Sequence, residues 1–391
     1  MNRKKIYMDH AATTPMRPEV LEAMEPYFCG KFGNPSGRYS YGNEARRAVE
    51  TAREQVAALI GANPDEIYFT SGGTEGDNWA IREAAALSRE EGRNEIVTSQ
   101  IEHHAVLESF KREELRHGMA VRYLPVGVFG QVRTEGFRST IRNGRLDTGF
   151  LSVMLANNEV GTIQPVKTLA GLAKEDGMLV HTDAVQAVGN IPVDVDDLGV
   201  DLLSMSAHKF YGPKGMGALY IRRGVKLPSL IVGGHQERDM RAGTENVPGI
   251  VGMGKAAELL GSNQDILEEG RRKAALRVEF QRRVEASCSG CRCNTACADT
   301  LPGTINFLFL GVESEALVLM MDSMGVACSG GSACTSMDLE PSHVLKAMGI
   351  SDEWSHGSVR FSFGRETTLN DVCETAEKLA LAVKRLREMG A

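Results

Sequence analysis

The sequence predicts an α/β protein in which a mostly parallel sheet, with helices on both faces, forms the larger of two domains. Strand-like and helical runs alternate from Asp65 to about Arg223, which is the pattern of a sheet built from βαβ units. The chain has 391 residues, more than one hydrophobic core usually serves, so we expect two domains. The final third has a different pattern and predicts a smaller α/β domain.

The elements of the larger domain follow one another in a regular order. The strand-like runs are EIYFT, EIVTS, GFLSVML, GMLVHTDA and DLLSMSA. Helices are predicted to begin near Thr74, within HHAVLESFKREEL and at about Val166, and a long helical segment follows from about Pro248 to Glu285. Because ligands bind beyond the carboxyl ends of the strands in such sheets, we expect the functional residues there.

The smaller domain is predicted from short elements in the last third of the chain. They are the strand TINFLFL, the helix ESEALVLMMDSM, a short strand at GVAC, the helix EPSHVLKAMG, the strand SVRFSFG and a closing helix. The closing helix has a stripe of apolar residues at helical spacing: Val372, Ala376, Leu379, Val383 and Leu386. Cys373 lies beside this stripe, and we interpret it as a small core residue.

The composition excludes several classes of protein. Hydrophobic residues make up 42% and charged residues 24%, which is typical of a globular enzyme. A net charge of −7 argues against nucleic-acid binding as the main function. No apolar run approaches the ~20 residues of a membrane-spanning helix. The eight cysteines do not make a disulfide scaffold in so long a chain, and no export signal is evident, so we expect a cytoplasmic protein with reduced thiols.

The most informative stretch is SMSAHKFYGPKG, which places Lys209 directly after a predicted buried strand. A lysine at the carboxyl end of a strand in an α/β sheet is where a Schiff base to an aldehyde cofactor can form. The alternative is a solvated surface lysine. Asp183, in HTDAVQAVG, ends a neighbouring strand 26 residues earlier and is the carboxylate that pyridoxal phosphate needs against its pyridine nitrogen. Alone, this aspartate would equally suit a helix cap.

A third signal comes from FTSGGTEGDNWAI, which puts a Gly-Gly turn between a strand and a helix that starts near Thr74. Backbone N–H groups and the helix dipole at such a turn bind phosphate, and the Thr74 hydroxyl adds a donor. Any strand-to-helix connection resembles this turn, so the signal is weak by itself. The three signals lie on one predicted sheet and are all required by one cofactor, so together they predict a pyridoxal-phosphate site.

The sequence resembles the cysteine desulfurases, which are pyridoxal-phosphate enzymes of the class V aminotransferase type and fold-type I. The segments that carry the resemblance are YMDHAATTP, FGNPSG, FTSGGTEGDN, EHHAVLE, ANNEVG, HTDAVQAVG, SAHKFYGPKG, GGHQERDMRAGTENVPGIVG, GSACTSMDLEPSHVL and VRFSFGR. They run from Tyr7 to Arg365 in the family's order. The resemblance implies a seven-stranded sheet in a large cofactor-binding domain over 16–258. It further implies a small domain formed by 1–15 and 259–391, and a homodimer.

The resemblance also implies a role for each matching residue. Lys209 would bind the cofactor covalently, Asp183 would pair with the pyridinium, and His103 would stack on the ring and transfer protons. The other cofactor-binding positions would be Gly73, Thr74, Asn158, Gln186, Ser206, His208 and the partner subunit's Thr244. Arg360 would take the substrate carboxylate as a planar bidentate fork, with help from Asn34.

Cys334, in GSACTS, matches the family's nucleophile. The resemblance implies that its thiolate attacks the sulfur of bound L-cysteine, which leaves a persulfide on Cys334 and releases alanine. The family subgroup with an extended cysteine loop passes this sulfur to an acceptor, such as an iron–sulfur scaffold protein. In such a complex, the cysteine can also contact a cluster on the acceptor. We interpret Cys328 as a small packed side chain, with a resolving or oxidation-sensitive role as the alternative.

Two features depart from the family pattern. CSGCRCNTAC spaces Cys288, Cys291, Cys293 and Cys297 in a way that resembles metal ligands. We interpret this stretch as an exposed strand and turn with reduced cysteines, and a zinc or iron–sulfur site is the alternative. His10 stands where the family commonly has asparagine, which makes a polar role for this position uncertain.

Three alternatives to a desulfurase stay open from the sequence. A selenocysteine lyase would use the same fold and a similar cysteine. An aminotransferase or β-lyase would release alanine or another product without Cys334. A non-catalytic sulfur-carrier or metal-binding protein on the same fold would lack the covalently bound cofactor altogether. We expect L-cysteine as substrate and neither nucleic acid nor membrane as a partner.

Overall fold

The computed structural model describes residues 5–141, 147–295, 299–330 and 341–390. Its strands are β1 Ile6–Tyr7, β2 Ile67–Thr70, β3 Glu95–Ser99, β4 Ala120–Leu124, β5 Thr148–Ser152, β6 Leu179–Asp183, β7 Leu202–Ser206, β8 Gly217–Ile221, β9 Cys291–Cys293, β10 Thr304–Phe309, β11 Val326–Ala327, β12 Ser329–Gly330 and β13 Ser358–Ser362. Its helices are α1 Pro18–Met24, α2 Pro26–Cys29, α3 Ser40–Leu59, α4 Gly73–Glu90, α5 His104–His117, α6 Phe137–Thr140, α7 Val166–Glu175, α8 Val195–Leu198, α9 Val247–Leu260, α10 Asn263–Ser287, α11 Ser314–Ser323, α12 His343–Ala347, α13 Asp352–Ser355 and α14 Leu369–Gly390. Among the described helices, none has the length and apolar character needed to cross a membrane.

The large sheet, as the described residues form it, has seven strands in the order β2-β8-β7-β6-β5-β3-β4. The pairs from β7 to β4 are parallel, and β8 runs antiparallel to both β2 and β7. Every residue of β3, β5 and β7 is buried, as expected for strands covered by helices on both faces. The predicted mostly parallel seven-stranded sheet is therefore confirmed. Its topology brings the carboxyl ends of β5, β6 and β7 to the same edge.

The helical segment predicted from about 248 to 285 is two helices, not one. Helix α9 ends before Gly261, which adopts a left-handed φ of 78° and so stops the helix. Helix α10 then starts with a capping box, in which Ser262 accepts from the backbone N–H of Asp265 and the Asp265 carboxylate accepts from the backbone N–H of Ser262. The capping box satisfies two N–H groups that the start of a helix otherwise leaves unpaired.

The smaller α/β unit contains a four-stranded antiparallel sheet in the order β12-β13-β10-β9 within the described chain. The amino-terminal strand β1 pairs in parallel with β11, and Met8 is fully buried in the same apolar cluster as Phe361. On α14, the predicted stripe is buried at Val372, Ala376, Leu379 and Val383, and Leu386 is half-buried. The contacts of β1 with this unit support the assignment of residues 1–15 to the small domain, although the domain boundaries stay a prediction.

Candidate active site

A cavity of about 200 Å³ opens at the edge of the large sheet where β6 and β7 end. Nine residues that the resemblance assigned to the cofactor line it together: Gly73, Thr74, His103, Asn158, Asp183, Gln186, Ser206, His208 and Lys209. The remaining lining residues are Asp77, Met154 and Val185. The fold therefore brings together residues that lie up to 136 positions apart in sequence. Sequence reasoning missed Asp77, although it lies three residues after Thr74 and so on the same face of α4.

Asp183 ends β6 with its carboxyl group buried beneath the cavity. Its Oδ1 accepts a hydrogen bond of 2.9 Å from the backbone N–H of Val185. Burial raises the pKa of Asp183, whereas the nearby His103 and Lys209 act in the opposite direction. A cationic group placed against this carboxyl would therefore favour its charged form.

Lys209 follows β7 in a single 3₁₀ turn over Ala207–Lys209. Its Nζ donates to the backbone carbonyl of Ala12 at 2.9 Å and also to that of Ala11. The adjacent His208 contacts the Thr13 hydroxyl at 3.1 Å through Nδ1. Burial, together with Lys209, lowers the pKa of His208 to about 4, so its imidazole is neutral at physiological pH. The amino-terminal segment around Ala11 thus holds the 3₁₀ turn that contains Lys209 in place.

The start of α4 forms an anion cradle beside these groups. Gly73 is the first residue of the helix, and its backbone N–H is among those that an α-helix leaves unpaired. A Cβ atom added at Gly73 would lie 2.4 Å from Cγ2 of Val185 and 3.8 Å from Cβ of Ser206. An added Cβ would therefore require Val185 or the helix start to shift, and the unpaired donors at the helix start suit a phosphate.

His103 is fixed in orientation because it caps α5. The backbone N–H of Ala105 donates to Nδ1 of His103 at 3.1 Å, so the neutral ring carries its proton on Nε2. Burial lowers the pKa of His103, with Asp183 opposing that shift and Lys209 adding to it. A neutral imidazole with one defined tautomer, lining the same cavity as Lys209, can accept or return a proton.

Arg360 lies on β13 next to the cavity and is buried. One guanidinium nitrogen donates to the backbone carbonyl of Asn158 at 2.7 Å and another to Oδ1 of Asp9 at 2.8 Å. The Ser329 hydroxyl donates to the other oxygen of Asp9. The buried Nε of Arg360 has no hydrogen-bond partner within the described residues. Carboxylate binding by Arg360 stays a prediction, and Asp9 is a contact that the sequence did not reveal.

Among the described residues, three that were predicted for the site are not part of the lining of this cavity: Arg360, Asn34 and Thr244. Asn34 and Thr244 are exposed, and the Asn34 carboxamide accepts from the backbone N–H of Ser36 at 2.9 Å. Their predicted roles stay predictions, and Thr244 was expected to serve the partner subunit. Cys334 lies outside the described residues, as does Cys297. Cys328 is buried in the core of the small unit, and burial raises the pKa of its thiol to about 12, which favours the packing interpretation.

The cysteine-rich stretch is less exposed than predicted. Cys288 is buried, and Cys291 and Cys293 are half-buried on the edge strand β9, where they pack against the core. The exposed-linker interpretation is therefore wrong for these three residues. Burial raises the pKa of all three thiols, and the part of the chain that is described has no group of three metal-ligating side chains.

His10, the other departure from the family, packs edge-on against the ring of Tyr7, with a centroid distance of 4.9 Å. Burial lowers its pKa to about 4, so the imidazole is neutral at physiological pH. Its buried Nδ1 has no hydrogen-bond partner among the described residues. His10 therefore acts mainly through packing in this structure.

The fold and this cavity define an α/β enzyme whose site combines a lysine, a buried aspartate, a histidine and an anion cradle at the carboxyl edge of its sheet. Residues 6–374 match the family model described as "Aminotransferase class-V", and the chain belongs to this family. The match covers nearly the whole chain, including the segments on both sides of the cavity. The predicted enzyme class is thereby confirmed.

Curated relatives extend this result. The chain is 50% identical over 385 residues to "Cysteine desulfurase IscS" of Dictyoglomus turgidum, covering 98% of this chain and 96% of that protein. It is 48% identical over 389 residues to the protein of the same name from Methanosarcina thermophila, covering 99% and 94%. These relatives confirm the resemblance to cysteine desulfurases that the sequence motifs predicted.

Solved structures agree with this result. A "NifS-like protein" superposes with a TM-score of 0.90 at 37% identity, covering 97% of this chain and 100% of that one. The structure titled "SspA in complex with cysteine" superposes with a TM-score of 0.80 at 35% identity, covering 92% and 98%. Both likenesses extend over almost the whole fold, so the predicted fold class is confirmed.

Proposed function

We propose that this chain is a pyridoxal-phosphate-dependent L-cysteine desulfurase that takes sulfur from L-cysteine, releases L-alanine and retains the sulfur as a persulfide on Cys334. The observation that carries the proposal is the convergence of Lys209, Asp183 and His103 on one cavity. Each residue follows or ends a different element of the same sheet edge. Membership of the class-V family and the names of the curated relatives support the same reading.

The residues of the cavity fit pyridoxal phosphate. The glycine start of α4, where a Cβ atom would collide with Val185, suits the phosphate together with Ser206 and His208. The buried Asp183 suits a protonated ring nitrogen, and Lys209 lies within the same cavity to bind the aldehyde carbon. When bound, the cofactor supplies an electron sink for the bonds that break at the substrate.

The chain's own groups perform the remaining steps. Arg360 binds the substrate carboxylate, and His103 moves protons at the substrate through Nε2. The Cys334 thiolate attacks the substrate sulfur, so an S–S bond forms while the Cβ–S bond breaks and its electron pair stays on the carbon side. That carbon is then protonated. The balance is L-cysteine and an enzyme thiol converted to L-alanine and an enzyme persulfide, with no external oxidant.

The proposal extends to the partners of the enzyme. We infer a homodimer in which Thr244 of the partner subunit completes each phosphate site, because Thr244 is exposed and does not line the cavity of its own chain. The persulfide passes to an acceptor protein for iron–sulfur cluster assembly or a related sulfur pathway. We also infer a cytoplasmic enzyme, and a net charge of −7 argues against a nucleic-acid partner.

The test combines spectroscopy with persulfide mapping. Wild-type protein loaded with pyridoxal phosphate should show the visible absorbance of a lysine-bound cofactor, and Lys209→Ala should lose it. With L-cysteine, the wild type should release alanine and carry a persulfide on Cys334 by mass spectrometry. Cys334→Ala should abolish both products, whereas the matched variant Cys328→Ala should retain them. Alanine release by Cys334→Ala at the wild-type rate would identify a β-lyase instead, and a strong preference for selenocysteine would identify a selenocysteine lyase.

A further inference from the structure

A second cavity, of about 570 Å³, lies between the end of α9, the first half of α10 and the segment that follows Lys209. Among the described residues, it shares no lining residue with the cofactor cavity. Its walls include Gly189 and Tyr211 of the large domain, and also Arg365, which follows β13 in the smaller unit. Sites for small molecules typically have volumes of ~300–1,000 Å³, so this cavity can hold an organic ligand.

Lys273, on α10, brings a buried positive charge to this cavity. The residue is 2% exposed, and its Nζ donates to Oδ1 of Asn190 at 3.1 Å. An ammonium group has three N–H bonds, and the other two have no acceptor within the described residues. Burial lowers the pKa of Lys273 to about 8, so the group stays mostly protonated at physiological pH. A buried charge without a counter-ion is costly, so Lys273 favours an anionic partner in the cavity.

The three acidic residues of the described lining are engaged in contacts of their own. Both oxygens of Glu269 accept from Arg272, at 2.8 Å each. Asp265 accepts from Ser262 in the capping box of α10. Glu268 is exposed and accepts from a glutamine at 3.2 Å. As the chain is described, none of the three lies within ion-pair distance of Lys273, so the lining itself does not supply the missing partner.

Two further donors belong to the same cavity. The hydrogen bonds that Arg365 makes within the described ranges use its backbone alone, so its guanidinium group has all its N–H bonds to offer. The Tyr211 hydroxyl accepts from the backbone N–H of Arg365 at 2.8 Å, and its own proton has no acceptor in the same part of the chain. An arginine fork beside other donors suits a carboxylate or a phosphate.

Another part of the lining is apolar and comes mainly from the end of α9 and the start of α10. It consists of Phe210, Ala256, Leu259, Leu260 and Ile266. Binding sites for organic molecules typically combine such walls with a few polar groups that fix the orientation of the ligand. The cavity therefore suits an anion that carries an apolar body better than it suits an inorganic ion.

The backbone beside the cavity adopts a costly conformation. Tyr211 has a left-handed φ of 67°, which is rare for a bulky residue and persists only where the surroundings hold it. Its backbone N–H donates to the Thr14 hydroxyl at 2.8 Å. Tyr211 comes shortly after Lys209 in the sequence, and Arg365 comes shortly after Arg360. A ligand that contacts both would join the segments that carry these two active-site residues.

We propose that this cavity binds a small organic anion, whose carboxylate or phosphate group contacts Lys273 and Arg365 and whose apolar body packs against Leu259 and Leu260. The ligand neutralises the buried ammonium group and connects α10 with the segment after β13. The site is separate from the cofactor cavity, so the inference does not rest on the proposed function.

The experiment measures binding by isothermal titration calorimetry to full-length protein loaded with pyridoxal phosphate, which occupies the anion cradle at Gly73. Benzoate and phenyl phosphate distinguish a carboxylate from a phosphate, and inorganic phosphate lacks the apolar body. Lys273→Met and Arg365→Met each remove one charge from the cavity. The matched control is Lys255→Met, which removes a lysine charge from the neighbouring helix α9 at a position that does not line the cavity.

We expect at least one of the two organic anions to bind with a dissociation constant of ~1 mM or below, and the tighter one identifies the charged group. Lys273→Met should weaken binding at least about tenfold, because a charged hydrogen bond is lost. Arg365→Met should weaken it about three- to tenfold, since this side chain is exposed. Lys255→Met should stay within about twofold of the wild type. Inorganic phosphate should bind about tenfold more weakly than phenyl phosphate, because it buries no ring.

Three results would overturn the proposal. One is the absence of binding by both organic anions at millimolar concentration. Another is equal affinity in Lys273→Met, Arg365→Met and Lys255→Met, which would mean that the anion binds elsewhere, for example at Arg360. The last is inorganic phosphate binding as tightly as phenyl phosphate, which would indicate an adventitious ion only.

Two features keep this test independent of other failures. If Lys273→Met does not fold, Arg365→Met carries the same comparison at an exposed position. A wild-type protein that retains no pyridoxal phosphate would refute the proposed function alone. Lys273→Met would still separate binding in this cavity from binding at the Gly73 cradle, since Lys273 does not line the cofactor cavity.

Discussion

The glycine that starts α4 offers a direct test of the anion cradle. In Gly73→Ala, the new Cβ atom would lie 2.4 Å from Cγ2 of Val185, far inside van der Waals contact. Val185 is β-branched and has little rotamer freedom, so we expect the helix start to shift away from the cavity. Overpacking of this kind costs about 1–3 kcal/mol. If that cost falls on the cofactor-bound state, the dissociation constant for pyridoxal phosphate should rise about ten- to hundredfold.

The assay is equilibrium binding of pyridoxal phosphate to the apoprotein, followed by the change in intrinsic fluorescence. Val185→Ala removes the colliding methyl group, so the double variant with Gly73→Ala should regain most of the affinity. The matched control is Gly171→Ala in helix α7, where an added Cβ meets nothing within 4 Å, and where alanine should leave binding unchanged. Wild-type affinity in Gly73→Ala, or no recovery in the double variant, would refute the steric account of the cradle.

Three further outcomes follow from the described contacts. Burial raises the pKa of Glu102 to about 8, so the folded state holds a proton that the unfolded state loses, and the free energy of unfolding should fall as pH rises from about 4.5 to 8. In thermal denaturation at several pH values, Glu102→Gln should reduce this dependence on pH. An unchanged dependence in the variant would contradict the prediction. Arg53 and Glu237 form a buried ion pair at 2.8 Å, so Arg53→Met should lower the free energy of unfolding by about 3–5 kcal/mol in denaturant titrations. Adding Glu237→Gln to this variant should restore part of the loss. A loss under about 1 kcal/mol, which is typical of an exposed ion pair, would contradict the prediction. His103→Gln should reduce the rate of alanine release at least about a hundredfold, which is the contribution of a positioned acid–base group. Absorbance should show that the cofactor stays bound in this variant. Alanine release at the wild-type rate would exclude His103 from proton transfer.

The parts of the site that lie at strand ends were predictable from the sequence because their signals are local. Lys209, Asp183 and Thr74 each follow or end a strand with a recognisable apolar run, and the parallel topology brings those ends together. Asp77 was within reach of the same reasoning, since helical spacing places it on the face of Thr74. The break between α9 and α10 at Gly261 was also predictable, because Ser262 and Asp265 have the spacing of a capping box.

Other contacts were beyond local reasoning because they join distant parts of the chain. Arg360 and Asp9 are 351 residues apart, and no spacing rule links them. The carbonyl oxygens of Ala11 and Ala12 that hold Lys209 are backbone atoms, so their side chains give no signal. Cys291 is half-buried because β9 pairs with β10, where Cys291 lies opposite Phe309. The spacing of the cysteines does not reveal this pairing.

The charges around the cavity explain why Asp183, and not another carboxyl, suits a cationic ring nitrogen. Asp77 and Glu102 are also buried near it, and the pKa of each is raised, chiefly by burial and further by the charge of Asp183. Asp77 Oδ1 has no hydrogen-bond partner among the described residues and lies 3.7 Å from His181, whose pKa burial lowers to about 3. Burial therefore favours the neutral form of both carboxyl groups, and it raises the pKa of Glu102 to about 8. Burial raises the pKa of Asp183 too, but Asp183 differs because His103 and Lys209 both oppose that rise. A protonated pyridine nitrogen placed against Asp183 would therefore favour the charged form of this carboxyl, while burial favours the neutral forms of Asp77 and Glu102.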